Sequence, residues 1–228
     1  MLFGFVAGAT RTLELATSVL ILPQRQTVLV AKQAAELDLL CGGRLRLGVG
    51  VGRNWMEYEA LNESFNDRGA RVEEQIAVLR RLWVEELVTF EGRWHHLDRM
   101  GLNPMPVQRP IPIWMGSYVG KVVARVIERI GRMADGWMPQ MPPNDEFAAV
   151  LERVHASAAA AGRDPMSIGI ECSMRIQTGD DPAKWVEMAN AYRNRGATLL
   201  KALPGGSGPS MAEHLSLVLQ WRDAVTAG

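Results

Sequence analysis

The chain has 228 residues, and its 25 lysines and arginines balance 25 aspartates and glutamates to give a formal net charge of zero. This length suffices for one α/β domain, since barrels of parallel strands and surrounding helices contain roughly 250 residues. The balanced charge gives no electrostatic basis for binding nucleic acid or an anionic membrane surface, and no apolar run approaches the roughly 18 residues that a membrane span needs.

Short strand-like runs alternate with helical stretches along the chain, a pattern that predicts parallel β-α units. Residues 1–9 have the character of the tail of an amphipathic helix. The predicted elements then follow in this order: strand 11–22, helix 26–40, strand 44–51, helix 68–83, an irregular hairpin excursion at 88–108, strand 111–115, helix 121–131, strand 134–138, helix 144–161, strand 167–177, helix 182–195, strand 198–203 and helix 211–226. Eight parallel strands close a (β/α)8 TIM barrel, and six are predicted here. We therefore expect an α/β fold of the TIM-barrel type, incomplete, in a single domain covering residues 1–228.

Polar and aliphatic residues alternate in the strand predicted at 167–177. The aliphatic set must face the surrounding helices, so the polar set faces the barrel lumen. The same reasoning directs Glu14 and Arg46 inward, and because charges are rarely buried unpaired we expect a buried cluster of Glu14, Arg46 and Glu171, with a purely structural plug as its plainer interpretation. Arg175 lies about 13 Å further along its strand, near the carboxyl end where barrel active sites lie.

Three glycine-rich segments lie at or directly after the ends of predicted strands. GVGVG (48–52) lacks the third glycine of a dinucleotide fingerprint, so it indicates only a close approach to the backbone or a tight turn. The loops GSYVG (116–120) and GGSG (205–208) each precede a predicted helix, whose N-terminus suits a phosphate group. Each loop is also compatible with a simple turn.

The sequence lacks the motifs of several common enzyme classes. It has no P-loop, no H-E-x-x-H zinc motif and no G-x-S-x-G nucleophile elbow. His95 and His96 are adjacent and point to opposite sides of a strand, which makes a poor chelating pair, so no metal site is expected. Cys41 and Cys172 lie far apart in apolar runs, which is typical of buried free thiols in a reducing compartment. No pair of nucleophile and base is visible, and the catalytic residues are left unassigned.

An ordered set of segments resembles the bacterial luciferase-like monooxygenase superfamily and covers nearly the whole chain. These segments are LATSVLILP (15–23), GRLRLGVGVG (43–52) with Asn54 and EYEAL (57–61), FNDRGARV (65–72), IWMGS (113–117) leading to ADGW (134–137), IGIE (168–171) and RGAT (195–198). The ordered set, rather than any single segment, carries the resemblance. Within the superfamily the chain is most similar to the branch that uses the deazaflavin coenzyme F-420 (8-hydroxy-5-deazaflavin), with FMN as the alternative coenzyme.

The resemblance implies a set of coenzyme-binding residues. Ser18 and Val19 match a strand bulge that supports the coenzyme ring, often through a cis peptide bond that does not involve proline. Gly50 and Gly52 match the strand end that lines the ring pocket, and Asn54, just beyond it, is also expected to bind the coenzyme. The loop 116–120 would bind the coenzyme phosphate, and we favour it over the loop 205–208 as the anion site. Its residues are Gly116, Ser117, Tyr118, Val119 and Gly120.

Two features depart from the family pattern. Family members begin with two more β-α units, and the second strand commonly ends in a histidine beside the reactive edge of the coenzyme; this chain starts after that point. Arg53 stands where some deazaflavin enzymes carry an acid, so no proton donor is named. The missing strands would leave the edges at 11–20 and 198–203 unpaired, and because such edges invite pairing with another chain we expect a homodimer.

These observations together predict a cytoplasmic oxidoreductase that transfers hydride between F-420 and a small organic substrate. The substrate would bind at the barrel mouth, where Arg175 and Trp137 are the expected contacts. Three alternatives stay open: an FMN-dependent monooxygenase, a degenerate non-catalytic relative that binds flavin or a partner subunit, and a phosphosugar-type barrel enzyme using Lys201, Arg175 and the loop 205–208.

Overall fold

A computed structural model describes residues 1–117, 123–205 and 210–227. The predicted site residues Tyr118, Val119 and Gly120, and most of the loop 205–208, lie outside the described residues. The chain divides into two compact units, Met1–Gly116 with Met133–Asp135 and Ser117–Arg132 with Gly136–Gly228. The expectation of a single domain stays a prediction.

The first unit contains the N-terminal half of the alternating pattern. Its helices are α1 (Leu2–Ala9), α2 (Thr27–Cys41), α3 (Trp55–Ala60) and α4 (Arg68–Leu82). Its strands are β1 (Leu15–Ala16), β2 (Leu20–Ile21), β3 (Leu45–Gly50), β4 (Val88–Glu91), β5 (His96–Met100) and β6 (Ile113–Ser117, without its last residue). Strands β1 and β2 both pair in parallel with β3, and β3 pairs in parallel with β6. Strands β4 and β5 form an antiparallel hairpin where the irregular excursion is predicted.

The apolar faces of α2 and α4 form much of the core of this unit. Trp83, directly after α4, is fully buried and donates its indole N–H to the carbonyl oxygen of Ala31 at 3.0 Å. Helix α2 ends at Gly42, whose φ of 64° lies in the left-handed region that glycine adopts without steric cost. The buried Asp38 carboxylate then accepts hydrogen bonds from the backbone and side-chain N–H groups of Gln108, at 2.8 and 2.7 Å. These bonds hold the segment between β5 and β6 against α2.

The second unit continues the alternation. Its helices and strands are α5 (Ala124–Met133, without its last residue), β7 (Gly136–Pro139), α6 (Asp145–Ala160), β8 (Gly169–Ile176), α7 (Pro182–Arg193), β9 (Leu199–Pro204) and α8 (Met211–Ala227). Strand β8 pairs in parallel with β7 and with β9. Asn144 begins α6 because its side-chain oxygen accepts the backbone N–H of Phe147 at 3.1 Å. No helix in the described ranges is long and apolar enough to cross a membrane.

The alternation of side chains in β8 follows the predicted pattern. Every member of the aliphatic set is buried, namely Ile168, Ile170, Cys172, Met174 and Ile176. On the polar face, Glu171 is buried and its carboxylate lies 3.2 Å from the Lys201 ammonium of β9. Burial raises the pKa of the Cys172 thiol to about 12, with the nearby Glu171 charge adding to it, so this cysteine stays an unreactive thiol.

The expected buried cluster of Glu14, Arg46 and Glu171 is wrong for Glu14. Its carboxylate does lie 3.4 Å from Arg46 Nε, but the Glu14 side chain is 63% exposed. The reason is that β1 begins only at Leu15, so Glu14 precedes the strand and its side chain lies in solvent. The Arg46 guanidinium also lies over the Trp114 ring, 4.8 Å from the ring centroid. A link from Arg46 to Glu171 stays a prediction.

The strand predicted at 11–22 is interrupted. Strands β1 and β2 replace it, and the three residues between them make no ladder pairs with β3. Within the interruption the Thr17 hydroxyl donates to the carbonyl oxygen of Gly48 at 2.7 Å, so a side chain takes the place of a backbone donor. The peptide bond between Ser18 and Val19 is cis, as the resemblance implies.

Candidate functional site

Val19 is the central feature of the candidate site in the first unit. Its side chain is 39% exposed although it lies between two strands of the sheet. A methyl group added at Gly50 would lie 2.7 Å from Val19 Cγ2, and one added at Gly116 would lie 3.1 Å from Val19 Cγ1. The Val19 side chain therefore rests directly on the backbone at the ends of β3 and β6. We call this surface, made by Val19 with Gly50 and Gly116, the valine platform.

Gly52 is required for a related reason. Its φ of 63° lies in the left-handed region, and an added Cβ would lie 3.1 Å from Cδ1 and Cγ2 of Ile21. The glycines predicted to line a ring pocket thus make room for two side chains of this chain, Val19 and Ile21. Any ligand on this surface would contact those side chains and not the strand end alone.

Helix α3 fixes the segment that follows the platform. Asn54 caps it by accepting the backbone N–H of Met56 at 3.2 Å, and its side-chain amide donates to Glu57 Oε1 at 3.2 Å. The amide is therefore engaged in the cap, and its contact with a coenzyme stays a prediction. Trp55 follows with 57% of its surface exposed, a large apolar side chain three residues after Gly52 that sequence reasoning did not single out.

Tyr58 is the second residue that the sequence did not reveal. It is fully buried, and its hydroxyl donates to the carbonyl oxygen of Val51 at 2.6 Å. Its ring contacts Phe65 edge-on, with 5.4 Å between the ring centroids. Burial raises the pKa of Tyr58 to about 12, although the charge of Arg68 opposes the rise. Tyr58 is thus a neutral donor that holds the strand end between Gly50 and Gly52.

The candidate phosphate-binding residue Ser117 lies in the second unit. Its Oγ accepts a hydrogen bond from the indole N–H of Trp137 at 2.9 Å. Trp137 was expected at the barrel mouth, but its side chain has no exposed surface and stacks on Phe147 with 5.5 Å between centroids. Direct contact of Trp137 with a substrate stays a prediction, whereas its contact with Ser117 is present in the structure.

Arg175 lies near the carboxyl end of β8 and is exposed. Its neighbour in register on β9 is Leu203, and the Ser173–Lys201 pair lies one step earlier on the same face. The arrangement leaves the Arg175 guanidinium accessible to an anionic or polar ligand. A role in substrate binding stays a prediction.

A chain of hydrogen bonds joins a carboxylate, an imidazole and a hydroxyl in the first unit. Glu74 Oε1 lies 2.8 Å from His95 Nδ1, and His95 Nε2 lies 2.5 Å from Thr27 Oγ1. Thr27 is buried, and its oxygen also accepts from the Gln75 amide at 3.0 Å, so it is not accessible to a substrate. Burial alone would raise the pKa of Glu74, but hydrogen bonds from His95 and from the backbone N–H groups of Trp94 and Arg93 outweigh it and lower that pKa. This chain of hydrogen bonds fastens the β4–β5 hairpin to α2 and α4.

No metal site is found among the described residues. No group of three or more histidine, cysteine, aspartate or glutamate side chains in those ranges is arranged to hold an ion. The neighbouring histidines have separate partners, because His96 Nδ1 lies 2.6 Å from Glu91 Oε1 on the exposed side of the hairpin.

Similar curated proteins include deazaflavin enzymes. An F420-dependent glucose-6-phosphate dehydrogenase of Segniliparus rotundus is 33% identical over 199 residues, which is 82% of this chain and 56% of that protein. An F420-dependent hydroxymycolic acid dehydrogenase of Mycobacterium tuberculosis is 33% identical over 156 residues, 68% of this chain and 42% of that protein. An uncharacterized protein of the same species is 33% identical over 163 residues, 72% of this chain and 54% of that protein. The chain spans about half the length of these curated relatives.

Solved structures share the fold at low sequence identity. A monooxygenase of Streptomyces bottropensis, RslO1, has a TM-score of 0.82 at 22% identity, covering 99% of this chain and 81% of that one. An F420-dependent secondary alcohol dehydrogenase has a TM-score of 0.83 at 17% identity, covering 97% of this chain and 82% of that one. The coenzyme F420-dependent tetrahydromethanopterin reductase of Methanopyrus kandleri has a TM-score of 0.79 at 15% identity, covering 95% and 84%. The predicted fold class, an incomplete TIM barrel, is confirmed.

The family model described as luciferase-like monooxygenase matches residues 1–227, which is almost the whole chain. This match agrees with the ordered segments that carry the sequence resemblance. The chain therefore belongs to the luciferase-like monooxygenase family.

Proposed function

We propose that this chain is an oxidoreductase that binds the deazaflavin coenzyme F-420 and transfers hydride between its ring and a small organic substrate. The valine platform is the observation that carries the proposal. Among the curated relatives, two of those described above are named F420-dependent dehydrogenases, which favours the deazaflavin over other coenzymes. When bound, the coenzyme would supply the hydride chemistry, and the protein would supply binding and orientation.

The valine platform fits one face of a flat ring. Val19 presents an exposed branched aliphatic side chain, and the absence of side chains at Gly50 and Gly116 lets it lie flat on the strand ends. Burying such apolar surface against a ring is favourable by about 25 cal/mol per Å² of apolar area. Tyr58 and Asn54 hold the adjoining segment in place, so the platform is formed before a ligand arrives.

Ser117 is the proposed contact for the coenzyme phosphate. It is the residue after Gly116 in β6, and its hydroxyl is a donor that a phosphate oxygen accepts. Arg175, exposed near the end of β8, is the proposed contact for a polar or anionic group of the substrate. No residue is proposed as the proton donor.

FMN is the second candidate coenzyme, in a monooxygenase reaction. The family description names monooxygenases, and the valine platform would contact a flavin ring as well as a deazaflavin ring. A non-catalytic relative that binds flavin is the alternative in which the platform is occupied without turnover.

We propose the cytoplasm as the compartment and a homodimer as the assembly. Cys41 and Cys172 are free and buried, which is typical of a reducing compartment. The exposed leucines on β9 and α8 support association of two copies, since large exposed apolar side chains near an unpaired strand edge favour interaction.

Titration of the purified chain with F-420 and with FMN, followed by fluorescence, tests the proposal. We expect F-420 to bind more tightly than FMN. Val19→Asp should abolish binding because it places a charge against the apolar ring, whereas Val84→Asp should not, since Val84 is a similarly exposed valine two residues after α4. The proposal is wrong if neither coenzyme binds, or if both variants bind as the unmodified chain does.

A further inference from the structure

Trp137 and Ser117 make a hydrogen bond whose direction is fixed by chemistry. The indole N–H is a donor and has no lone pair to accept with, so Ser117 Oγ must be the acceptor in the 2.9 Å contact. The hydroxyl proton of Ser117 is then directed away from Trp137. A serine hydroxyl normally rotates to suit its partners, and here one of its lone pairs is already assigned.

The indole is held rigidly in the position from which it donates. Trp137 has no exposed surface, and its ring stacks on Phe147 at an interplanar angle of 18°. Phe147 contacts Tyr192 edge-on, with 6.1 Å between centroids, and the Tyr192 hydroxyl donates to the carbonyl oxygen of Met141 at 2.8 Å. This aromatic stack is anchored at both ends. Holding the Trp137 indole in place for the Ser117 contact therefore costs little further side-chain entropy.

We propose that Trp137 is a positioning residue for the anion site: it holds Ser117 as an acceptor on one side and thereby presents the Ser117 O–H as a donor to the phosphate group of the coenzyme. The inference rests on the proposed function, because it takes the Ser117 ligand to be the coenzyme phosphate. It replaces the expected substrate contact of Trp137 by a role through Ser117, and it makes the contribution of Trp137 specific to phosphorylated ligands.

The first experiment needs no coenzyme. The chain has seven tryptophans, and labelling them with ¹⁵N gives one indole N–H signal each, of which Trp137→Phe identifies one. Ser117→Ala should shift that signal because it removes the acceptor, and Ser117→Thr should leave it near its original position because the hydroxyl is kept. The signal of Trp185 in α7, whose indole N–H lies 3.2 Å from Oδ2 of Asp180 just before that helix, should not move. If the indole signal of Trp137 does not shift in Ser117→Ala, the inference is wrong.

The second experiment compares ligands with and without the phosphate. Dissociation constants are measured for F-420 and for its deazariboflavin core, which lacks the phosphate, or for FMN and riboflavin if FMN is the coenzyme that binds. Trp137→Phe and Ser117→Ala should each weaken binding of the phosphorylated ligand about three- to tenfold, the usual effect of one lost hydrogen bond. The double variant should bind no more weakly than Ser117→Ala alone.

The matched control is Trp185→Phe, which removes a buried indole hydrogen bond elsewhere in the same unit and should leave both affinities unchanged. Equal weakening of the phosphorylated and phosphate-free ligands by Trp137→Phe, or multiplying effects in the double variant, would show that the tryptophan merely supports the fold. If Trp137→Phe does not fold, Ser117→Ala and Ser117→Thr carry the same comparison. Failure of the unmodified chain to bind any of the four ligands, with the Ser117-dependent indole shift intact, contradicts the proposed function and the phosphate assignment but not the hydrogen bond.

Discussion

Tyr58 donates its hydroxyl to the carbonyl oxygen of Val51 at 2.6 Å and so ties helix α3 to the end of strand β3. Tyr58→Phe removes the donor and leaves the Val51 carbonyl oxygen without this hydrogen bond. The change should lower the free energy of unfolding by about 1 kcal/mol. Urea denaturation measures this. An unchanged midpoint and slope would show that another donor replaces the phenol.

The same tyrosine predicts a loss of stability in alkali. Burial raises the pKa of Tyr58 from 10.0 to about 12 in the folded state, so the unfolded chain loses its phenolic proton first. Its contribution is complete below pH 10 and is lost as the pH rises from 10 toward 12. The free energy of unfolding should therefore fall less steeply over this range in Tyr58→Phe than in the unmodified chain. Tyr192, whose pKa burial also raises to about 12, supplies the comparison variant Tyr192→Phe.

Gly50→Ala should displace Val19. The new methyl group would lie 2.7 Å from Val19 Cγ2, closer than a side-chain contact permits, and relieving such overpacking costs about 1–3 kcal/mol. Val19→Ala in the same chain should restore much of that stability, because it removes the atom that is struck. Gly8→Ala on α1, where nothing lies within 4 Å, should be neutral or stabilising by up to about 1 kcal/mol. Thermal or urea unfolding of these three variants and the unmodified chain decides the matter, and a double variant no more stable than Gly50→Ala would refute the contact.

The regular parts of the fold followed from periodicity, since the strand β8 and the helices α2, α4 and α6 repeat over eight or more residues. Periodicity did not predict helix α3, because this helix has only six residues and depends on the Asn54 cap instead of an apolar stripe. Periodicity did not show the break between β1 and β2, which only the resemblance implied as a bulge at Ser18 and Val19, because the Thr17 hydroxyl bonds to Gly48, 31 positions away. Long-range polar contacts of this kind leave no local pattern in the sequence. The hydrogen bond between Trp137 and Ser117 is another of them.

Glu74 should make the stability of the chain fall in acid. Hydrogen bonds from His95 and two backbone N–H groups lower its pKa in the folded state against the opposing effect of burial. Its contribution is therefore present above the ordinary carboxyl pKa of 4.5 and is lost as the pH falls through the lowered value. Glu74→Gln should cost about 2 kcal/mol at neutral pH and flatten the decline below pH 4.5. Unfolding measured at several pH values tests this.

Glu91→Gln is the matched control for Glu74 on the same hairpin. Glu91 also contacts a histidine, His96, but its side chain is 83% exposed. Exposed pairs contribute at most about 1 kcal/mol, so this variant should keep nearly full stability at neutral pH. Equal losses of stability in the two variants would show that the hydrogen bonds joining Glu74, His95 and Thr27 stabilise the fold no more than the exposed pair does.

Two copies of the chain should associate through the surface formed by β9 and α8. Among the described residues of the second unit β9 pairs only with β8. Large apolar side chains are exposed on β9 and α8, namely Leu199, Leu203, Met211, Leu215 and Leu219. A strand edge beside apolar surface favours pairing with another chain. Light scattering should therefore give twice the 25.2 kDa mass of one chain. Leu203→Lys combined with Leu215→Lys should give a monomer that keeps its circular dichroism spectrum, whereas Leu40→Lys, on an exposed position of α2, should leave the dimer intact. A single-chain mass for the unmodified protein, or a dimer that survives the double variant, would show that this surface does not join two copies.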